Sequence, residues 1–303
     1  MLGIDIDGPV GEIWCAAADS VATADDGQQR TLAEWIAADP EGMLGQPLVA
    51  ACGPELPIVI KLIDTREAPS VQVHPSDTYA RAVEGGPGGR GKTESWLVLE
   101  AAPDAVVYHG ARANPSDGLI DAFDSPAILD LLEPVPVRRG SVIDVPAGTI
   151  HTIGPGIILY EVQQRSDLTY RIYDFGRGRP IHLDRARDVS DTAAANPSWR
   201  RWLDIDSETD ALVTEMPPYH CFLHHADHEE TYRNVADVCQ IVTRLDSGDN
   251  EPVGTTFLVP PSNRITLDAG CWAIATPRPE GCRRPANGNE SKHAATNKPG
   301  ASR

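Results

Sequence analysis

Residues 70–75 read Ser70-Val71-Gln72-Val73-His74-Pro75, a short polar and β-branched alternation closed by proline. In a strand, side chains two apart share a face, so Gln72 and His74 project side by side into a barrel. A second stretch, Gly91-Lys92-Thr93-Glu94-Ser95-Trp96, runs into the apolar segment 96–100 (WLVLE), and there Lys92 and Glu94 share one face. A third, built from Gly140, Pro146, Gly148 and His151, is a turn that delivers a histidine to the start of a strand. Taken alone, a Gln-x-His pair is ordinarily a hydrogen-bonded polar pair, Glu94 a solvated strand charge and His151 a satisfied buried histidine. Together, Gln72, His74, Glu94 and His151 form an N/O ligand set on neighbouring strands. Imidazole with carboxylate suits zinc, and also iron, manganese or nickel. An amide oxygen is a weak ligand and would leave the ion strongly Lewis acidic.

Outward from these stretches, short apolar runs are punctuated by turns. Runs at 56–64, 96–100, 105–108, 141–145, 157–163 and 170–175 read as strands. They are separated by Gly- and Pro-rich clusters, among them GGPGGRG and IGPG. Helical signals are fewer: Ser76 heads a short helix to Glu84, and residues 31–38 (TLAEWIAA) have helical composition. The pattern predicts a mainly β protein, a sandwich or barrel. Four regions are expected: a metal-binding unit over 1–185, a helical or irregular connector over 186–211, a small second β unit over 212–278, and a disordered tail over 279–303 that is poor in large apolar residues.

Composition narrows the function. A formal net charge of -18 repels phosphate backbones, which argues against a nucleic-acid partner. An anionic small molecule would need a local basic cluster against that background. No apolar run is long enough to span a bilayer, and the acidic first residues, MLGIDIDGPV, do not resemble a signal peptide. Six cysteines without a C-x-x-C pair fit reduced thiols in a cytoplasmic protein.

The third stretch matches the second cupin motif through His151, without the usual asparagine four positions later. The first cupin motif is altered: Gln72 replaces a histidine, and Glu94 lies far downstream. In this the chain resembles the type I phosphomannose isomerases, sharing SVQVHP, GKTE-x-W, PAGT-x-H and E-x9-R (Glu161 to Arg171) over roughly residues 11–190. The resemblance implies a cupin double-stranded β-helix, or jelly-roll barrel, with a reduced second cupin-like unit and a few helices. It implies one zinc ion per chain on Gln72, His74, Glu94 and His151. It places Arg171 as the active-site arginine, with Glu161 and Lys92 near the sugar and either of them serving as the proton-shuttling base. Ser70, Lys61 and Arg177 fall near the substrate phosphate. The implied activity is interconversion of mannose 6-phosphate and fructose 6-phosphate through an enediol, by a cytoplasmic monomer or weak homo-oligomer with no nucleic-acid or membrane partner. The alternative is a cupin metalloprotein that binds or acts on another sugar phosphate without isomerising it. The chain lacks the Trp-Gly-Gly segment that usually precedes GE-x-W, here Gly11-Glu12-Ile13-Trp14.

Three features compete or stand apart. Residues 86–93 fit the G-x-x-x-x-G-K-[ST] phosphate loop, which requires a buried strand before it and a helix after it. His220, His224, His225 and His228 cluster without a tetrahedral ligand spacing and read as a partly exposed strand end. Lys61 interrupts the apolar run 56–64, and a lysine buried there is costly unless it faces an anion.

Overall fold

The computed structural model describes residues 11–85, 89–112, 118–207, 210–247 and 251–282. The tail expected to be disordered lies outside these from residue 283 onward, as do residues 86–88 of the phosphate-loop pattern. The strands are β1 (Glu12–Ala16), β2 (Val21–Thr23), β3 (Gln29–Thr31), β4 (Ile58–Thr65), β5 (Val71–Val73), β6 (Glu94–Ala101) and β7 (Val106–Ala111). They continue as β8 (Leu132–Pro136), β9 (Ser141–Val145), β10 (His151–Ile153), β11 (Ile157–Gln164), β12 (Tyr170–Tyr173) and β13 (Arg200–Trp202). Two antiparallel sheets face each other, one ordered β1-β4-β11-β6-β9-β13 and the other β12-β5-β10-β7-β8. This is the cupin barrel.

Register decides what the barrel encloses. In the five-stranded sheet, Arg171 pairs with Gln72, Gln72 with His151, and His151 with His109, so the four form one transverse row. In the six-stranded sheet, Trp14, Lys61, Glu161 and Trp96 form another, and Glu94 lies opposite Gln163 in the next. Opposed residues share a face, so polar side chains from both sheets point inward while Trp96, Val98, Ile143, Val145 and Leu159 fill the rest of the interior. Every residue of β11 is buried, because that strand is covered on both faces. On its outer side, Ile58, Ile60, Leu62, Tyr160 and Val162 pack against helices α1 (Leu32–Ala38), α2 (Pro40–Leu44) and α3 (Gln46–Cys52) and against the C-terminal unit. Helix α1 begins where its composition predicted: Thr31 and Glu34 make a reciprocal capping box. Val71 and Val73 face outward under the helix Leu183–Val189.

The connector is more ordered than its composition suggests, since β13 within it joins the barrel sheet beside β9. The C-terminal unit contains β14 (Leu212–Met216), β15 (Tyr219–Ala226), β16 (Glu230–Arg233), β17 (Gln240–Arg244), β18 (Thr256–Val259), β19 (Arg264–Leu267) and β20 (Gly270–Pro277). Five of these form a sheet ordered β14-β15-β20-β17-β18, and β16 and β19 make a separate ribbon. Tyr219, Cys221, Leu223, Ile241 and Ala275 belong to the same buried cluster as the outer face of the barrel sheet. The two units therefore share one core, to which Leu223 and Ile241 each contribute about 1.5–3 kcal/mol on burial.

A polar seam crosses that core. The buried Asp144 carboxylate accepts from Ser95 Oγ at 2.7 Å, Thr214 Oγ1 at 2.6 Å and Arg201 Nη1 at 2.7 Å. Ser95 Oγ also lies 3.1 Å from the Tyr219 hydroxyl, linking the C-terminal unit to the residue beside Glu94. The expectation of six reduced thiols is corrected: Cys52 and Cys282 form a disulfide with a Cα–Cα distance of 5.1 Å. Their 230-residue separation leaves no spacing signal, and the bond arises because the C-terminal turn folds back on α3. Among the described residues no helix is long and apolar enough to cross a membrane.

Candidate metal centre and cavity

Three turns bring the sequence motifs together through backbone hydrogen bonds. Lys92 N–H donates to Pro75 O at 3.1 Å, and Gly148 N–H donates to His74 O at 2.8 Å. The Gly91 N–H donates to Asp77 Oδ1 at 2.7 Å. A Cβ on Gly91 would lie 2.6 Å from Pro75 O, so only glycine permits this approach. The His74-Pro75 turn is thus clamped on one side by the Lys92 loop and on the other by the loop that delivers His151.

The clamped side chains converge. His151 Nε2 lies 3.1 Å from Glu94 Oε1, and His74 Nε2 lies 3.5 Å from Glu94 Oε2. The ligand-capable atoms of these three residues all lie within 4.8 Å of one another, and all three residues are buried. No other such group occurs among the described residues. Each imidazole is oriented from behind: His74 Nδ1 meets Leu168 O at 3.0 Å and His151 Nδ1 meets Thr149 O at 2.9 Å. A carbonyl can only accept, so Nδ1 carries the proton and the Nε2 lone pairs point inward. His74 Nε2 is buried without a hydrogen-bond partner, and Glu94 Oε2 beside it has only the Lys92 ammonium at 3.2 Å. Buried polar atoms of this kind are rare unless something binds them. Gln72 completes the set, its amide 3.2 Å from His151 Nε2 and 3.2 Å from Ser70 Oγ. A half-turn of the amide presents Oε1 inward, with Ser70 then accepting. The four residues fit a divalent cation.

Electrostatics suits a cation as well. Burial lowers the His74 pKa to about 4, with Lys92 adding to the effect, so its imidazole is neutral. Burial opposes ionisation of Glu94, but Lys92 and the two imidazoles outweigh it and hold the carboxyl well below the usual range. A neutral imidazole and an ionised carboxylate are the states that bind metal.

Beside this quartet lies a cavity of about 650 Å³ lined by Lys61, Ser70, Gln72, Lys92, Glu94, Glu161 and Arg171. Lys61 Nζ sits 3.2 Å from Glu12 Oε2, 3.8 Å from Glu161 Oε1 and 4.2 Å above the Trp14 ring. Lys92 Nζ is 3.2 Å from Glu94 Oε2. Burial tends to discharge Lys92, but Glu94 and Glu161 outweigh it and raise its pKa, keeping it protonated. Glu161 Oε2 accepts from Trp96 Nε1 at 2.9 Å, while Oε1 is buried without a hydrogen-bond partner. Burial and the nearby Glu94 raise the Glu161 pKa to about 7.

Of the residues nominated from sequence outside the metal quartet, Arg177 alone does not line the cavity. Its Nη1 donates to Ala68 O at 2.8 Å and its Nε to Asp174 O at 3.0 Å. Among the cavity residues that sequence reasoning missed are Glu12, Trp96, Arg179 and His182. The first two stand at period-two positions in the motifs already quoted, Glu12 two before Trp14 and Trp96 two after Glu94, and strand alternation could have found them. Arg179 and His182 lie in a loop with no period. The phosphate-loop reading is excluded, because residues 77–85 are helical and β6 begins at Glu94, where that motif requires a helix. In the histidine cluster, His224 is bonded by Asp210 at 2.9 Å and Glu230 at 2.6 Å, an ion-pair arrangement.

Residues 2–89 match the family model described as phosphomannose isomerase type I, catalytic domain. The chain is 39% identical over 165 residues to a mannose-6-phosphate isomerase of Streptococcus mutans, covering 52% of this chain and 51% of that one. It is 38% identical over 143 residues to the mannose-6-phosphate isomerase ManA of Bacillus subtilis, covering 45% of each. The chain thus spans about half the length of the curated relatives it matches. Among solved structures, the mannose 6-phosphate isomerase from Bacillus subtilis superposes with a TM-score of 0.69 at 22% identity over 88% of both chains. A mannose 6-phosphate isomerase bound with zinc and yttrium superposes with a TM-score of 0.61 at 14% identity, covering 89% of this chain and 91% of that one. Sequence likeness therefore covers about half of the chain, and likeness of fold extends over most of it.

Proposed function

We propose that this relative of the type I phosphomannose isomerases is a cytoplasmic enzyme that interconverts mannose 6-phosphate and fructose 6-phosphate with one zinc ion per chain. The observation that carries the reading is the buried His74–Glu94–His151 group, with His74 Nε2 left unpartnered, beside a cavity that also holds Glu161, Lys61 and Arg171. Gln72, His74, Glu94 and His151 would hold the ion. Bound there, the ion would supply Lewis-acid stabilisation of negative charge developing on the sugar oxygens.

The remaining chemistry falls to the protein. Moving a proton between C1 and C2 requires a base whose pKa lies near the working pH. Glu161 fits this role: Trp96 fixes one carboxyl oxygen, the other is unpartnered, and burial has brought its pKa to about 7. Lys92 does not, because its pKa is raised and its ammonium is paired with Glu94. We assign Lys92 to charge balance at the carbonyl end. Lys61 and Arg171 supply fixed positive charge to the phosphate and the enediolate oxygens, offsetting the acidic surface. Ser70 offers a hydroxyl on the same wall.

The test is a coupled isomerase assay on purified protein, run as isolated, after chelation, and after zinc is restored. Turnover of mannose 6-phosphate that disappears with chelator and returns with zinc is expected. A protein that binds zinc stoichiometrically yet isomerises neither mannose 6-phosphate nor another aldose phosphate would refute the reading.

A further inference from the structure

Arg177 and Arg179 are separated by one glycine, and the structure gives them different work. Arg177 is fully engaged with protein. Besides its bonds to Ala68 O and Asp174 O, Nη2 contacts Asp174 Oδ1 at 3.2 Å, and the guanidinium lies 5.3 Å over the Phe175 ring. It ties the loop before β5 to the turn after β12. Arg179 lines the cavity instead. Its Nε donates to both Asp174 oxygens at 3.0 and 3.1 Å, and Nη2 donates to Oδ1 at 2.5 Å. Its backbone N–H also reaches Asp174 Oδ2 at 3.2 Å. Nη1 is left without a protein partner among the described residues. Asp174, only 4% exposed, holds the guanidinium by one edge and leaves the other available.

His182 lines the same wall. Its Nδ1 accepts from the Arg171 N–H at 3.1 Å, which places the ring proton on Nε2 and makes that atom a donor. Arg171 contributes a buried Nε that has no hydrogen-bond partner. Arg171, Arg179 and His182 therefore each present a donor to the cavity, and His182 is bonded directly to the Arg171 backbone. Asp64, Glu67 and Asp167 also face the cavity, and Lys61 and Lys92 are already paired with Glu12, Glu161 and Glu94, which leaves the arginines as the more favourable seat for an anion.

We infer, building on the isomerase reading, that Arg179 and His182 join Arg171 to seat the phosphate of the substrate. Arg177 is a structural clasp, and Asp174 is a positioning residue for Arg179. The ligand class is a phosphate monoester on a sugar. Selection against the unphosphorylated sugar resides chiefly in Arg179 and His182, since Arg171 lies opposite Gln72 of the metal quartet.

The decisive measurements are calorimetric titration of zinc-loaded protein with inorganic phosphate, and steady-state kinetics on mannose 6-phosphate and on free mannose. Arg179→Gln should weaken phosphate binding and raise KM for mannose 6-phosphate about tenfold, a modest figure for a charge-assisted bond because the side chain is partly exposed. Its kcat should change less than its KM, and kcat/KM for free mannose should stay as in wild type. Arg179→Lys should recover part of the loss. Arg177→Gln should lower Tm while leaving phosphate affinity and KM near wild type. Asp174→Asn should reproduce the KM effect of Arg179→Gln with a lower Tm, since it frees both arginines. The inference is overturned by equal phosphate affinity in wild type and Arg179→Gln, by no phosphate binding in wild type, or by a KM effect at Arg177 and none at Arg179. Absence of isomerase activity in a wild type whose phosphate binding depends on Arg179 would sink the isomerase reading and spare the anion seat.

Discussion

Replacing Trp96 with phenylalanine separates a packing role from a role in the chemistry. Trp96 is 1% exposed, and its indole N–H is the one hydrogen bond that fixes the Glu161 carboxylate. The substitution removes that donor inside a nearly dry site, where a hydrogen bond to a charged group contributes about 1.5–3 kcal/mol. It also replaces an indole by a smaller ring, and the resulting void costs about a further 1–2 kcal/mol. A loss of roughly 3–5 kcal/mol in unfolding free energy is therefore expected. Part of it should appear in catalysis, because Glu161 Oε1 already lacks a hydrogen-bond partner and both carboxyl oxygens would then be unfixed. Turnover should fall by about ten- to a hundredfold with zinc content unchanged. The Trp96 bond also lowers the Glu161 pKa, so its removal should move the acid limb of the rate profile to higher pH. Urea unfolding, metal analysis and the pH profile of kcat together give the answer. A variant that loses stability but keeps wild-type kcat and profile would show that Trp96 is only core, and would remove the argument for an oriented Glu161.

Other variants probe the remaining links. Alanine at His74 or His151 should abolish stoichiometric zinc binding, and a variant of either that retains zinc would break the ligand assignment. Asp144→Ala leaves Arg201 without its buried partner and removes the shared acceptor of Ser95 and Thr214. It should cost about 3–5 kcal/mol by chemical denaturation, and a loss below about 1 kcal/mol would mean that the seam is solvated. Burial lowers the His224 pKa, but Glu230 and Asp210 outweigh that and raise it. Its contribution to stability is therefore present below the ordinary histidine value and lost as pH rises through the higher folded-state value. His224→Gln should flatten that slope in Tm measured from pH 6 upward, about where histidine titrates, and an unchanged slope would disprove the pairing. Cys52→Ser should lower stability by about 2–5 kcal/mol without altering zinc content. Six titratable thiols in the unreduced, denatured wild type would rule the bond out.

How far the sequence carried depended on whether a feature was local. Gln72, His74, Lys92 and Glu94 were legible because strand alternation assigns each side chain a face from its neighbours alone. The helix at 31–38 was legible because its Thr31 and Glu34 cap lies within a few residues. Lys61 announced itself as a charge inside an apolar run, and it stands in the cavity between two carboxylates. The rest depends on contacts that spacing does not encode. The strand β13 is three residues long and follows Pro197 in a polar stretch, so nothing nearby marks it as an edge strand. Asp144 sits in an otherwise apolar strand, and its partners Arg201 and Thr214 lie 57 and 70 residues away. Arg177 and Arg179 differ only in which carbonyls and carboxylates the folded loop offers them.

The seam and the clamps give a structural role to a second unit that contributes none of the nominated ligands or cavity residues. Glu94 begins β6, a strand with the cavity on one side and the shared core on the other. Its neighbour Ser95 is bonded to Asp144 and reaches Thr214 and Tyr219 of the C-terminal unit. Displacing that unit would expose the outer faces of β4, β6 and β11 and free Ser95. Glu94 would then be held only by the imidazoles and Lys92, groups whose own positions depend on it. A ligand carboxylate must be fixed within a fraction of an ångström to keep a metal geometry. For the proposed ion, the C-terminal unit would brace Glu94 from behind through the Ser95 contacts to Thr214 and Tyr219.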